Sequence, residues 1–471
     1  MTNQEILRPQ DKPKLARWIP LSLQHVFAMF GATILVPILT GLQPSAALFT
    51  AGTGTLIFIL CTGAKVPAFL GSSFAFIPAL IAIGQSAQFG IPYALGGAIA
   101  AGLFYSLVSF IIRFVGTKWL DKALPPVVIG SVIIVIGLSL APTAISMSMN
   151  EQVPSMDDIK GKLLEVNEAI DTKVSAEKTS KLTNELITNL NGFFNNYKLV
   201  YLSIAAFTLM ITILASILLK GFFSTIPILI GLVSGYLFTL IMGFIFPAYA
   251  IINFDVVEKA PWFGFPTFYT PKFNLVPVLT FIIISFATIC EHLGDVLVTS
   301  KIVGQDFYKN PGLHRTLLGD GLATAWASLF GGPPNTTYGE NIGVMAITRV
   351  YSVWVIGGAA VIAILLSFFT KIGALIQTIP TPVLGGICML LFGIIASSGL
   401  RTIVESGVDF KDKRNLTINS VILVIGIGGG RLAFNITGEL HFVLSGVALA
   451  TVAGIVLNLV MPKTQHGDKA E

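Results

Sequence analysis

Apolar runs of about membrane length follow one another along most of this chain, and they constrain the fold more than any other feature. A helix needs about 20 apolar residues to cross roughly 30 Å of hydrocarbon. Candidates fall at 18–38, 46–63, 66–84, 92–115, 124–146, 199–219, 222–246, 274–299, 314–331, 335–348, 350–370, 380–399, 415–430 and 439–461. Charged residues make up only 11% of the chain, against roughly 25% in a soluble domain. Its 29 basic and 24 acidic residues are too few to coat a globule of 471 residues. A polytopic, all-α membrane protein of fourteen transmembrane segments is expected. The polar start, MTNQEILRPQDKPKLARW, lacks the plan of a signal peptide, so the first apolar run is expected to stay as a span.

Lysine and arginine test the count, because short cytoplasmic loops collect them. With the N-terminus inside and strict alternation, 19 of the 29 fall on the cytoplasmic side, from Arg8 to Lys469. The short outer loops hold only Lys259, Lys272, Lys371 and Arg431. Both termini, 1–17 and 462–471, are therefore expected in the cytoplasm. The remaining six lie in one polar stretch, 147–198, which the rule exempts. There Ile159, Leu163, Val166, Ile170 and Val174 recur at helical spacing, as do Leu182, Leu186 and Leu190. The stretch reads as an outer amphipathic helical hairpin or as an irregular loop. Basic residues scattered singly between apolar runs give no nucleic-acid surface. Cys61, Cys290 and Cys388 lie within apolar stretches and read as small core residues.

Ionisable groups are costly inside hydrocarbon and point to function. Few lie there: His25, Glu291, His292, Asp295, Asp320 and Glu340. Glu291 and Asp295 are four apart, on one helix face. Two carboxylates so placed cannot both ionise cheaply, so one is expected to hold a proton, as a proton-coupled carrier requires. The bland alternative is that either acid pairs with His25 or His292 and merely joins helices. Asp320 has no evident role.

Two segments cannot be ordinary helices. In PPNTTYGENIG, Pro333 and Pro334 remove donors, Asn335, Thr336 and Thr337 suit a helix start, and Gly339 permits close approach. AKVPAFLGSSFAFIPAL, 64–80, carries Pro67, Gly71, Ser72, Ser73, Phe74, Phe76 and Pro78. Non-helical backbone at membrane depth survives only in a protein interior or beside a cavity. These are the third and tenth of fourteen segments, hence matching members of two sets of seven. A duplicated seven-span unit must insert in opposite orientations, and broken helices of inverted repeats mark a secondary transporter's binding site.

These residues carry a resemblance. Gln24-His25, GSSFAF at 71–76, ATICEHLGD at 287–295 and PNTTYGENIGVMAITRVYS at 334–352 resemble the nucleobase–ascorbate transporters, the second class of nucleobase cation symporters. The likeness runs from about 17 to 461, except for 147–198. Tyr338-Gly339-Glu340-Asn341 is similar to the family's bacterial uracil permeases, where purine and xanthine members tend to carry Gln-Asn. Asp295 departs from that branch, which has histidine there.

The resemblance implies a core domain, 18–115 and 274–370, and a gate domain, 116–273 and 371–461. Each broken segment would give a short strand, the two meeting at the substrate. Glu291 would grip one ring edge and Glu340 would be a second carboxylate partner. Amides of Phe74 and Gly339 would bind carbonyls beside the Phe74 and Tyr338 rings. Glu340, Asp295 and Glu291 would serve proton coupling, with His25, Ser73 and His292 in support. It also implies a homodimer through the gate domains in a bacterial cell membrane.

The expected activity is uracil import by proton symport with alternating access between core and gate, with no cofactor, resident metal or enzyme chemistry. Xanthine or another purine base on the same scaffold is the alternative. An anion exchanger or channel is disfavoured by two carboxylates in the site. Sodium suits the same oxygen ligands as a coupling ion.

Overall fold

The computed structural model describes residues 6–149, 199–246, 250–437 and 440–462; the expected hairpin at 147–198 lies almost wholly outside them. Eight described helices are long and apolar enough to cross a bilayer. They are α1 (Leu15–Thr40), α2 (Pro44–Cys61), α4 (Ile91–Val115), α5 (Pro126–Met149), α6 (Leu199–Leu218), α7 (Pro227–Ile245), α8 (Leu275–Val303) and α13 (Thr381–Glu405). Two more, α11 (Val353–Ser367) and α12 (Thr370–Gln377), pass the same test only as a pair bent by 83°. Shorter helices include α3 (Ile77–Gly84), α9 (Leu313–Leu329), α10 (Gly339–Thr348), α14 (Lys413–Ile427) and α15 (Gly446–Val460). The protein is therefore a mostly helical, polytopic membrane fold, with eight or nine long apolar spans among the described residues.

The helices pack through small residues, since lipid supplies no hydrophobic drive between them. At Gly102 of α4, a Cβ would come within 2.5 Å of the Gly321 carbonyl on α9. Backbone contact this close explains why α9 seats firmly despite carrying Asp320.

The two broken segments are extended where proline and glycine interrupt them. β1 (Leu70–Ser72) pairs antiparallel with β2 (Asn335–Thr337), with Leu70 opposite Thr337 and Ser72 opposite Asn335. Isolated strands in a membrane interior must satisfy their outer edges. Thr55 on α2 does this for β1: its hydroxyl accepts from the Leu70 amide at 2.9 Å and lies 3.2 Å from the Leu70 carbonyl. Thr324 on α9 donates to the Asn335 carbonyl at 2.6 Å. Each strand then turns into a half-helix, β1 through a 3-10 turn at Phe74–Phe76 into α3, and β2 directly into α10.

The expectation of helix over 439–461 needs correction, and with it the all-α description. Arg431–Thr437 and Leu440–Ser445 are paired antiparallel strands, β3 and β4, and α15 begins only at Gly446. The sequence alternates there, with Leu432, Phe434 and Ile436 separated by short or polar residues. That two-residue period fits strand better than helix, and β4 packs on α8.

Candidate functional site

A cavity of about 320 Å³ opens where the half-helices meet α8. From α8 come Glu291, Asp295, Val298 and Ile302, at helical intervals that keep them on one face. Phe74 enters from the first broken segment, and Thr337, Tyr338, Gly339 and Glu340 from the second. The facing wall belongs to α5 through Ile133 and to α13 through Ile394, Ile395, Ser397, Ser398 and Arg401. Its size suits a small ligand.

Hydrogen bonds fix this wall. Thr337 donates to Asp295 Oδ2 at 2.8 Å, tying β2 to α8. The Tyr338 hydroxyl donates to the Ser72 carbonyl at 3.1 Å and lies 3.2 Å from the Thr33 hydroxyl. Gly71 leaves room for that ring: a Cβ there would lie 2.5 Å from its Cζ. Glu291 Oε2 is buried and has no hydrogen-bond partner among the described residues. A buried acceptor left this way is costly unless a ligand donates to it. Gly339 and Phe74 each begin a helical turn, where the first amides find no acceptor within the helix.

Six expected site residues, Phe74, Glu291, Asp295, Tyr338, Gly339 and Glu340, thus share one cavity wall. Ser73, His25 and His292 stand behind it. The Ser73 amide donates to the Pro334 carbonyl at 2.8 Å, adding a bond between the broken segments. Asn341 Nδ2 lies 3.1 Å from both His25 Nδ1 and the His25 carbonyl, which holds α10 to α1. His292 turns away, with Nδ1 3.3 Å from Asp320 Oδ2 and Nε2 3.1 Å from the Thr316 hydroxyl. His292, considered as a helix-joining partner for Glu291 or Asp295, thus pairs with Asp320, the acid without an assigned role. Among the described residues no group of three or more metal-ligating side chains is placed to hold a metal ion.

Sequence reasoning missed Thr337, Asn341 and the α13 residues. Both Thr337 and Asn341 sit inside the quoted motif at 334–352, where Thr337 was read only as a helix start and Asn341 was given no site role. Ser397, Ser398 and Arg401 gave one signal, two hydroxyls three and four residues before a cation near the end of an apolar run. Arg401 Nε donates to Glu405 Oε1 at 2.6 Å, and Lys301 on α8 reaches the same carboxylate at 3.2 Å. That exposed network crosses from α8 to α13 at one end of the cavity.

A family model described as a permease family matches residues 16–170 and 181–433. The chain belongs to this permease family, that of the nucleobase–ascorbate transporters. The permease is 48% identical over 470 residues to the uracil permease of Bacillus subtilis (strain 168), covering 98% of this chain and 97% of that one. It is a transporter, and the family name gives no enzyme activity. Two solved structures are similar in fold. One is SLC26A9, with a TM-score of 0.64 at 12% identity, over 95% of this chain and 66% of that chain. The other is the transmembrane domain of a cyanobacterium bicarbonate transporter, BicA, with a TM-score of 0.57 at 16% identity, over 97% and 98%. At such identities the likeness concerns fold alone.

Proposed function

We propose that the permease imports uracil into a bacterial cell by proton symport. One observation carries the reading: a small cavity in which a buried, unpartnered carboxylate oxygen of Glu291 faces half-helix starts and the Phe74 ring. Uracil offers two N–H donors and two carbonyl acceptors around a flat ring. Glu291 takes one N–H, Glu340 acts as the second carboxylate partner, and the Phe74 and Tyr338 rings cover the faces. The amides of Phe74 and Gly339 take the carbonyls. The relatives named as uracil permeases, at 40–48% identity over nearly the whole chain, support this ligand.

The fourteen segments act as two inverted seven-span repeats. Segments 1–4 and 8–11 make the core, 18–115 and 274–370. Segments 5–7 and 12–14 make the gate, 116–273 and 371–461. Two walls from different bodies around one cavity are what alternating access needs, and here α8 faces α5 and α13. Of the eight long helices, α6 and α7 are the least buried, which suits a homodimer through the gate. Glu340 carries the coupling proton and Asp295 tunes it. Both termini face the cytoplasm.

Competition uptake with uracil, thymine and xanthine in proteoliposomes tests the ligand. Uracil should compete best; xanthine competing best replaces the reading with a purine carrier. An imposed pH gradient should drive accumulation. Accumulation that follows an imposed sodium gradient instead assigns the coupling to sodium.

A further inference from the structure

Only two non-glycine residues among those described have left-handed backbone, Ala64 at φ 54° and Arg349 at φ 55°. L residues avoid that region and hold it only where surrounding structure enforces it. Ala64 opens the first broken segment, and Arg349 closes α10, the half-helix of the second. The same short stretch of chain grips both. The Leu7 amide donates to the Arg349 carbonyl at 3.3 Å, and Gln10 Nε2 donates to the Ala64 carbonyl at 3.0 Å.

The rest of that stretch is built to stay in place. Pro9 and Pro13 disfavour helix, and the chain before α1 instead makes a turn at Pro9 and Gln10, where the Asp11 amide donates to the Arg8 carbonyl at 3.0 Å. The Tyr351 amide donates to the Leu7 carbonyl at 2.8 Å and the Val353 amide to the Pro9 carbonyl at 2.9 Å. The Ser352 hydroxyl donates to the Asp11 carbonyl at 2.6 Å. Leu7 is buried against Val350 and Val355 with Trp18 alongside. Lys12 lies 4.8 Å from the Trp354 ring centroid, a stabilising cation–π distance. Trp18 Nε1 donates to the Trp354 carbonyl at 2.7 Å. The segment expected as a cytoplasmic N-terminal tail is thus laced to the stretch from Arg349 to Val355.

We propose that residues 7–12 act as a clip, pinning the strained turns at Ala64 and Arg349 and so positioning both broken segments that wall the cavity. The role is one of positioning, since none of these residues lines the cavity. Its consequence for ligand rests on the reading of that cavity as the uracil site.

The test compares the full chain with a variant lacking residues 2–12, both purified from membranes, by amide hydrogen exchange without ligand and by binding of labelled uracil. Exchange should rise in 70–76 and 335–343 of the truncated protein, together. Uracil affinity should fall roughly tenfold or more, because a misplacement of about 1 Å is enough for that. Adding Ala64→Gly and Arg349→Gly to the truncated protein should recover most of the affinity, since glycine holds these turns without the clip. Unchanged exchange overturns the clip whatever the ligand is. So does a loss of affinity that the glycines leave untouched. A full chain that binds no uracil, yet shows the coupled rise in exchange on truncation, overturns the ligand reading and leaves the clip standing.

Discussion

The first broken segment is buried from Val66 through Ile77, whereas the second is buried only as far as Tyr338. Beyond that point Gly339, Gly343 and Ala346 are exposed to the cavity and Glu340 is partly so. Both begin with the same plan, a three-residue strand running into a half-helix. Their glycines differ accordingly. Gly71 is pressed against the Tyr338 ring, while a Cβ on Gly339 or Gly343 would meet nothing within 4 Å. The first segment is a braced scaffold that offers backbone and one ring; the second carries the charge and the open face. A pair of matching motifs can thus divide the labour of one site.

The comparison is broken most directly through the acid opposite both segments. Glu291→Gln should weaken uracil binding by roughly tenfold to a hundredfold, since a hydrogen bond to a charged group contributes about 1.5–3 kcal/mol. Equilibrium binding to purified protein checks this, and unchanged affinity would remove Glu291 from the site.

Next come the two glycines. Gly71→Ala should cost about 1–3 kcal/mol by overpacking and lower the melting temperature with or without ligand. Gly339→Ala should leave melting unchanged and alter only uracil affinity. Equal melting losses in both would erase the distinction between scaffold and open face.

Asp295 probes the second segment's charge through the Thr337 bond. With Asp295 as a tuning group, Asp295→Asn keeps accumulation driven by a pH gradient but with a displaced pH optimum. Good binding without any accumulation would instead make Asp295 the carrier. Thr337→Val should move the optimum less, because it removes only the donor. The smallest effect is expected outside both segments in sequence: replacing the polar stretch 147–198 with a short Gly/Ser linker should leave uptake near normal in inserted protein.

Much of this was legible in the sequence because membrane chemistry is sparse. Glu291 and Asp295 announce a face by their four-residue spacing, and Pro333, Pro334 and Gly71 announce where helix fails. The pairing of β1 with β2 follows from resemblance and from the need to satisfy strand edges. The α13 wall was barely legible: most of its helix is apolar on every side, so periodicity cannot say which face turns inward, and Ser397, Ser398 and Arg401 near its end were the one signal. The His292–Asp320 pair was hidden for another reason, since it depends on how α8 and α9 are rotated against each other. The C-terminal hairpin was misread because a run of apolar residues masks a two-residue period.

The two-stranded sheet also sets a schedule for synthesis. Its strands lie at 70–72 and 335–337, so β1 reaches the membrane long before its partner exists. At about 5–20 residues per second, that interval is on the order of tens of seconds. Throughout it, Thr55 can satisfy the outer edge of β1 from α2, but the inner edge has no strand to meet. The newborn first half must therefore keep an exposed backbone edge from wrong partners, and neither half has a complete binding site until the other has been made.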